Sequence, residues 1–96
     1  MNYENHLFFK NYRYPLTPKQ MRHIFWLCNE ISKKYPLDRE EVREILKNEF
    51  CEKTGIPYFS CSPYEIDSIS YNDAEFFITF LYDILNGGGL QWLDYM

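Results

Sequence analysis

The strongest constraint in this sequence is a helix-start signal that occurs three times. The first is Leu16-Thr17-Pro18-Lys19-Gln20-Met21. Thr17 reads as an N-cap whose hydroxyl accepts from the amide of Gln20, and the Gln20 side chain reaches back to complete a capping box. Pro18 falls at the first helical position, where its missing N–H costs nothing. Leu16 and Met21 flank the cap as a hydrophobic staple. The second signal is Leu37-Asp38-Arg39-Glu40-Glu41-Val42, with Asp38 as cap, Glu41 closing the box and Leu37 with Val42 as staple. The third is Tyr71-Asn72-Asp73-Ala74-Glu75-Phe76, read with Asn72 as cap, Glu75 closing the box and Tyr71 with Phe76 as staple.

Apolar spacing fills in the helix bodies. Met21, Ile24, Phe25, Leu27, Cys28, Ile31 and Tyr35 recur at three-to-four spacing, so the first helix runs over 18–34 until Pro36 stops it. Val42, Ile45, Leu46 and Phe50, with Glu49 at the margin, give a second helix over 39–53, closed by Gly55 and Pro57. Phe76, Phe77, Phe80, Leu81, Ile84 and Leu85 give a third over 73–86. Ile78 and Tyr82 widen its apolar face, which places this helix at the centre of the domain.

At 96 residues the chain is one domain over 1–96, and 46 % apolar with 25 % charged residues excludes disorder. Aromatics reach 20 %. Many fall in an N-terminal arm over 3–14, where Tyr3, Phe8, Phe9, Tyr12 and Tyr14 interleave with Lys10 and Arg13. Residues 57–71 read as a long loop with room for a short strand pair. The tail from Leu90 to Met96 is apolar enough to pack back. The fold class is mainly α: a compact three-helix domain with an aromatic arm and a long loop between helices 2 and 3.

The net charge of −4 conceals an asymmetry. Residues 1–48 carry nine Lys/Arg against six Asp/Glu, a balance of +3, and residues 49–96 carry one Lys against eight Asp/Glu, a balance of −7. Such a polarised chain steers partners through its two ends. No apolar run approaches the roughly 20 residues of a membrane span, and Met1–Lys10 lacks the apolar core of a secretory signal. The expected location is the cytoplasm. Cys28, Cys51 and Cys61 read as reduced thiols in or near the core, with a Cys51–Cys61 disulfide as the unusual alternative.

Candidates for chemistry are sparse. His6 and His23 have no second ligand at metal-site spacing, so neither a metal nor another cofactor is expected. Gly87-Gly88-Gly89 follows a helix rather than preceding one and reads as a stop, not a phosphate cradle. Neither Cys51 nor Cys61 is spaced with a histidine as a nucleophile pair would be, and no catalytic residue is assigned. Trp26 is more telling. At 100° per residue it lies on the polar side of the first helix with Arg22, Asn29, Glu30 and Lys33, where the aromatic arm, the tail or a partner covers it. Trp26, Arg22 and Lys33, together with Glu65, Asp67, Asp73 and Asp83, form the candidate partner-binding set. Lys10, Arg13, Lys19, Arg22, Lys33 and Lys34, interleaved with aromatics, are the candidate nucleic-acid contacts. Trp26 and the Gly-rich tail are the candidates for any self-association.

The stretch from Leu16 to Leu90 resembles a helical domain of phage-encoded HNH-type nucleases and related phage recombination proteins. The resemblance rests on Leu16-Thr17-Pro18-Lys19-Gln20, on Val42 to Cys51, on Thr54-Gly55-Ile56-Pro57-Tyr58-Phe59-Ser60 and on Asp73 to Leu81. The segment from Ser62 to Ser70 is longer than the family's connector. In that family the metal-binding catalytic segment lies outside the helical part, so the resemblance carries no catalytic residue over. It implies a phage or prophage origin and a helical docking module without its nuclease, expected to act in the host-cell cytoplasm. Two functions are expected from this. One is a non-enzymatic protein-interaction module accessory to phage replication or recombination, touching nucleic acid at its basic half. The alternative is a small acidic inhibitor of a host defence nuclease, of the anti-CRISPR kind.

Overall fold

The computed structural model describes residues 14–87. Three helices form there: α1 (Pro18–Ser32), α2 (Arg39–Thr54) and α3 (Tyr71–Leu85). The architecture is mainly α, as the three start signals require, and no strand occurs among the described residues. The expected strand pair is reduced to two isolated bridges, Ser60 with Ser68 and Pro15 with Ser70.

The first two helix starts form as read. Thr17 Oγ1 accepts from the Gln20 amide at 3.1 Å, and Gln20 Oε1 accepts from the Thr17 amide at 2.9 Å. Asp38 accepts from the amides of Glu40 and Glu41 at 2.8 and 2.9 Å, and the Asp38 amide donates to Glu41 at 3.2 Å. At the far end of α2, Gly55 takes φ 77°, a left-handed conformation that glycine adopts without a Cβ penalty, and its amide donates to the Cys51 carbonyl at 2.8 Å. Replacing Asp38 with Ala is expected to lower stability by about 1 kcal/mol, read as a lower urea midpoint; an unchanged midpoint would exclude this cap as a contributor.

The third start differs. The cap is Ser70, not Asn72, and the helix begins at Tyr71. Ser70 Oγ accepts from the Asp73 amide at 3.1 Å. The sequence fits two overlapping cap patterns, and the tertiary structure selects one. Leu16 N–H donates to Ile69 O and Tyr71 N–H to Tyr14 O, both at 2.8 Å, which holds Ser70 in the extended conformation an N-cap needs. Glu75 therefore closes no capping box. Its carboxylate instead accepts from Gln20 Nε2 at 2.7 Å, and the same amide nitrogen donates to Tyr71 O at 3.1 Å. Gln20, nearly buried, thus caps its own helix and ties it to the start of α3. At the other end α1 stops at Ser32, short of the expected Lys34, because Pro36 disfavours helical geometry at Tyr35.

The core joins Leu16, Ile24, Leu27, Cys28 and Ile31 to Val42, Leu46 and Phe50 of α2 and to Ala74, Phe77, Leu81 and Ile84 of α3. Phe59, Cys61 and Ile69 seal it from the connecting loop. The central element is α1, which packs on both other helices, whereas α2 and α3 meet more sparingly. This corrects the expectation that the third helix sits in the middle. Ile78 does widen the buried face of α3, but Tyr82 does not: it is exposed, as are Tyr71 and Phe76, the last at 55 %. Phe25 is likewise at the surface rather than in the core. The three cysteines are free thiols, Cys28 and Cys61 buried and Cys51 half-buried.

Candidate functional site

Two features of the described surface stand out, and both belong to the connection from α2 to α3. The first is a polar triad built around a buried lysine. Lys47 lies within the Val42–Leu46–Phe50 face of α2 and is only 4 % exposed. Its ammonium donates to Glu44 Oε2 at 3.1 Å and to Tyr58 Oη at 2.9 Å, while Tyr58 Oη donates to Glu44 Oε1 at 2.7 Å. Its ammonium also lies over the Tyr58 ring, 4.3 Å from the centroid. Burial alone would depress the Lys47 pKa, but the hydrogen bonds to Tyr58 and Glu44 outweigh it and hold the group above its ordinary value. Burial of Glu44 acts upward, yet the bonds from Tyr58 and Lys47 and the neighbouring Arg43 charge keep its carboxyl below the usual range. The triad is a closed ion pair that pins Tyr58, and with it the start of the loop, to α2.

The second feature is the loop itself. The Ser60 amide donates to Asp67 O and the Ile69 amide to Ser60 O, both at 2.9 Å, closing the chain on itself between 60 and 69. Inside, Ser60 Oγ accepts from the Ser62 amide at 3.0 Å and Ser62 Oγ from the Tyr64 amide at 3.2 Å. Phe59, Cys61 and Ile69 anchor the base in the core. The apex is therefore ordered, and it projects two large side chains into solvent: Tyr64 is 79 % exposed and Ile66 104 %. Glu65 and Asp67 alternate with them and are exposed. Among the described residues neither carboxylate has an ion pair or a side-chain hydrogen bond.

Between the triad and the loop lies a cavity of about 320 Å³, lined by Phe25, Arg43, Glu44, Lys47 and Tyr58 on one side and by Ser60, Ser62, Glu65 and Asp67 on the other. Arg43 stacks its guanidinium 4.5 Å from the Phe25 ring centroid. Cys61 also lines the cavity, but burial pushes its thiol up to about 11, and burial pushes Cys28 up to about 12. Both remain protonated at neutral pH and supply no thiolate nucleophile. His23 is paired with Tyr82 at 2.7 Å. No group of three metal-ligating side chains occurs among the described residues, and none of their helices is long and apolar enough to cross a membrane.

The residues singled out from sequence divide into three places. Glu65 and Asp67 meet at the cavity. Asp73 and Asp83 stand on α3 and do not line it. Lys19, Arg22, Trp26 and Lys33 share the exposed side of α1, where Trp26 is 51 % exposed. Two of the cations have internal partners: Lys33 pairs with Glu30 at 2.9 Å, and Lys34 donates to Leu85 O at 2.8 Å, a cation on the C-terminal carbonyls of α3. Lys10, Arg13, most of the aromatic arm and the tail lie outside the described residues. Sequence reasoning missed Arg43, Glu44, Lys47 and Tyr58. The available signal was a Glu-x-x-Lys pair whose lysine sits beside the apolar stripe of α2.

No protein-family model, curated protein or solved structure matches this chain.

Proposed function

We propose that this chain is a protein-interaction module without chemistry of its own, and that its grip is the loop at 61–67. The observation that carries this is the ordered apex that holds Tyr64 and Ile66 in solvent between two unpaired carboxylates. An exposed isoleucine on a rigid loop has little to gain from water. Placed against a partner, Tyr64 and Ile66 bury apolar area while Glu65 and Asp67 set the charge the partner must carry. The partner surface is therefore basic with an apolar centre. The triad and the backbone bridges pre-order the loop, which reduces the entropy lost on docking.

The phage resemblance supports a partner in phage replication or recombination. The paired acids also favour the second reading, an inhibitor that occupies the basic groove of a host defence nuclease, since such a groove presents the charge they complement. Among the described residues nucleic-acid contact rests on α1, where Lys19 and Arg22 have no ion pair.

The test is capture from phage-infected lysate with the intact chain, alongside binding to single- and double-stranded DNA over a salt series. Glu65→Lys with Asp67→Lys, and separately Ile66→Ala, are each expected to weaken the captured complex by roughly tenfold or more. A complex indifferent to both loop variants, with salt-sensitive DNA binding lost in Arg22→Glu, would replace this reading with a nucleic-acid one.

A further inference from the structure

The cavity beneath the loop is lined by charges of both signs. Its α2 wall presents Arg43, whose guanidinium rests on Phe25 and has no ion pair or hydrogen bond among the described residues. Beside it Lys47 uses two of its three N–H donors within the triad, and Glu44, on the same wall, has both carboxylate oxygens engaged there. The loop wall presents Glu65 and Asp67, equally unpaired, with the hydroxyl-bearing Ser60 and Ser62. The two walls do not meet, since no Arg43 ion pair forms within 4.0 Å. The resident cations already cover the faces of Phe25 and Tyr58. An entering cation thus finds its place only at the loop wall, and an entering anion only at the α2 wall.

We infer that this cavity is a binding site for a small zwitterion of amino-acid size, its carboxylate on Arg43 and its ammonium on Glu65 and Asp67. The volume of about 320 Å³ falls at the small end of ligand sites, which run from about 300 to 1,000 Å³. Charge-assisted hydrogen bonds at both ends select for the two charges together, because a singly charged molecule leaves one wall unanswered. The inference needs no partner protein and does not depend on the interaction reading. The carboxylates serve both, but Arg43 serves only this one.

The probes are 4-aminobutanoate and 6-aminohexanoate, with butanoate and butylammonium as single-charge controls. They are titrated into the isotope-labelled full chain while the amides of Ser60, Ser62 and Asp67 and the Arg43 side-chain N–H are followed by NMR. At least one zwitterion is expected to give a saturable shift with Kd near or below about 1 mM, and each control to bind roughly tenfold more weakly or less. Arg43→Gln and, independently, Glu65→Gln with Asp67→Asn are expected to abolish saturation while the spectrum shows the fold intact. The loop variant changes exposed side chains only, so it remains informative if Arg43→Gln loosens the fold. Absence of a saturable shift with either zwitterion, or a single-charge control binding as tightly as the zwitterion, would overturn the assignment. Loss of partner capture in Ile66→Ala with zwitterion binding retained would separate this site from the docking apex.

Discussion

Phe50→Ala is expected to destabilise the domain by about 3–5 kcal/mol, a large share of the roughly 5–15 kcal/mol that holds a domain folded. Phe50 is fully buried and its ring touches four others, Phe59 at 6.1 Å, Phe76 at 5.4 Å, Phe77 at 4.9 Å and Phe80 at 5.4 Å between centroids. It comes from α2, three of its neighbours from α3 and one from the loop base. Because α2 and α3 otherwise meet sparingly, this ring is the principal apolar bridge between them. Truncation removes both the transfer energy of the ring and the edge-to-face contacts with Phe59 and Phe76. Phe50→Leu keeps most of the volume and is expected to cost much less, about 1–1.5 kcal/mol. Urea denaturation of the two variants checks the order; an alanine variant with the parent's midpoint would show that the aromatic cluster is not what joins α2 to α3.

The second large effect concerns the triad and has an unusual asymmetry. Glu44→Leu leaves the Lys47 ammonium buried with only a hydroxyl for company, and is expected to cost about 3 kcal/mol. Lys47→Met removes the buried charge instead. Glu44 is half-exposed and keeps its bond from Tyr58, so this change is expected to cost less than about 1.5 kcal/mol. A larger loss in Lys47→Met than in Glu44→Leu would mean that the ammonium's bonds, and not its desolvation, dominate. The pH profile follows from the same groups. Glu44 titrates lower in the folded chain than its ordinary 4.5, so its contribution is present above that value and is lost as pH falls through the folded pKa. Lys47 titrates above its ordinary 10.5, so its contribution is present below that value and is lost as pH rises through the folded pKa. The thiols set the earlier alkaline limit. Unfolded cysteines ionise near 9.0, whereas Cys61 and Cys28 keep their protons to about 11 and about 12. The unfolded chain then binds fewer protons than the folded one, and stability is expected to decline from about pH 9 upward. Urea midpoints measured from neutral to alkaline pH check this, and Cys28→Ala with Cys61→Ala is expected to flatten the first part of the decline.

What was legible in the sequence was local. Thr17-x-x-Gln20 and Asp38-x-x-Glu41 are self-contained hydrogen-bond circuits, and both form as written. Gly55 marks the end of α2 for the same reason: its left-handed turn concerns one residue. The third start failed because its outcome is not local. Ser70 and Asn72 both offer a capping side chain, and the choice was made by Tyr14 and Leu16, more than fifty residues away. The candidate site divides in the same way. Glu65 and Asp67 could be picked out as acids in a loop, and Trp26 as an apolar residue on a polar helix face. The cavity could not, because Arg43, Lys47 and Tyr58 are brought together only when the loop folds back on α2. A lysine one position from an apolar stripe looks like a solvated residue until a tyrosine eleven positions later closes over it.

The stitching of Gln20 to Tyr71 and Glu75, and of Leu16 to Ile69, spans most of the described chain. While the polypeptide is still emerging from a ribosome, the first helix has its own cap but no partner for the Gln20 amide group or the Leu16 N–H until the residues from 69 to 75 have cleared the exit. A buried donor without an acceptor is costly. The domain therefore gains its native closure only once residues 69 to 75 are available, and a nascent chain stalled before residue 69 exposes its apolar helix faces to chaperones and proteases.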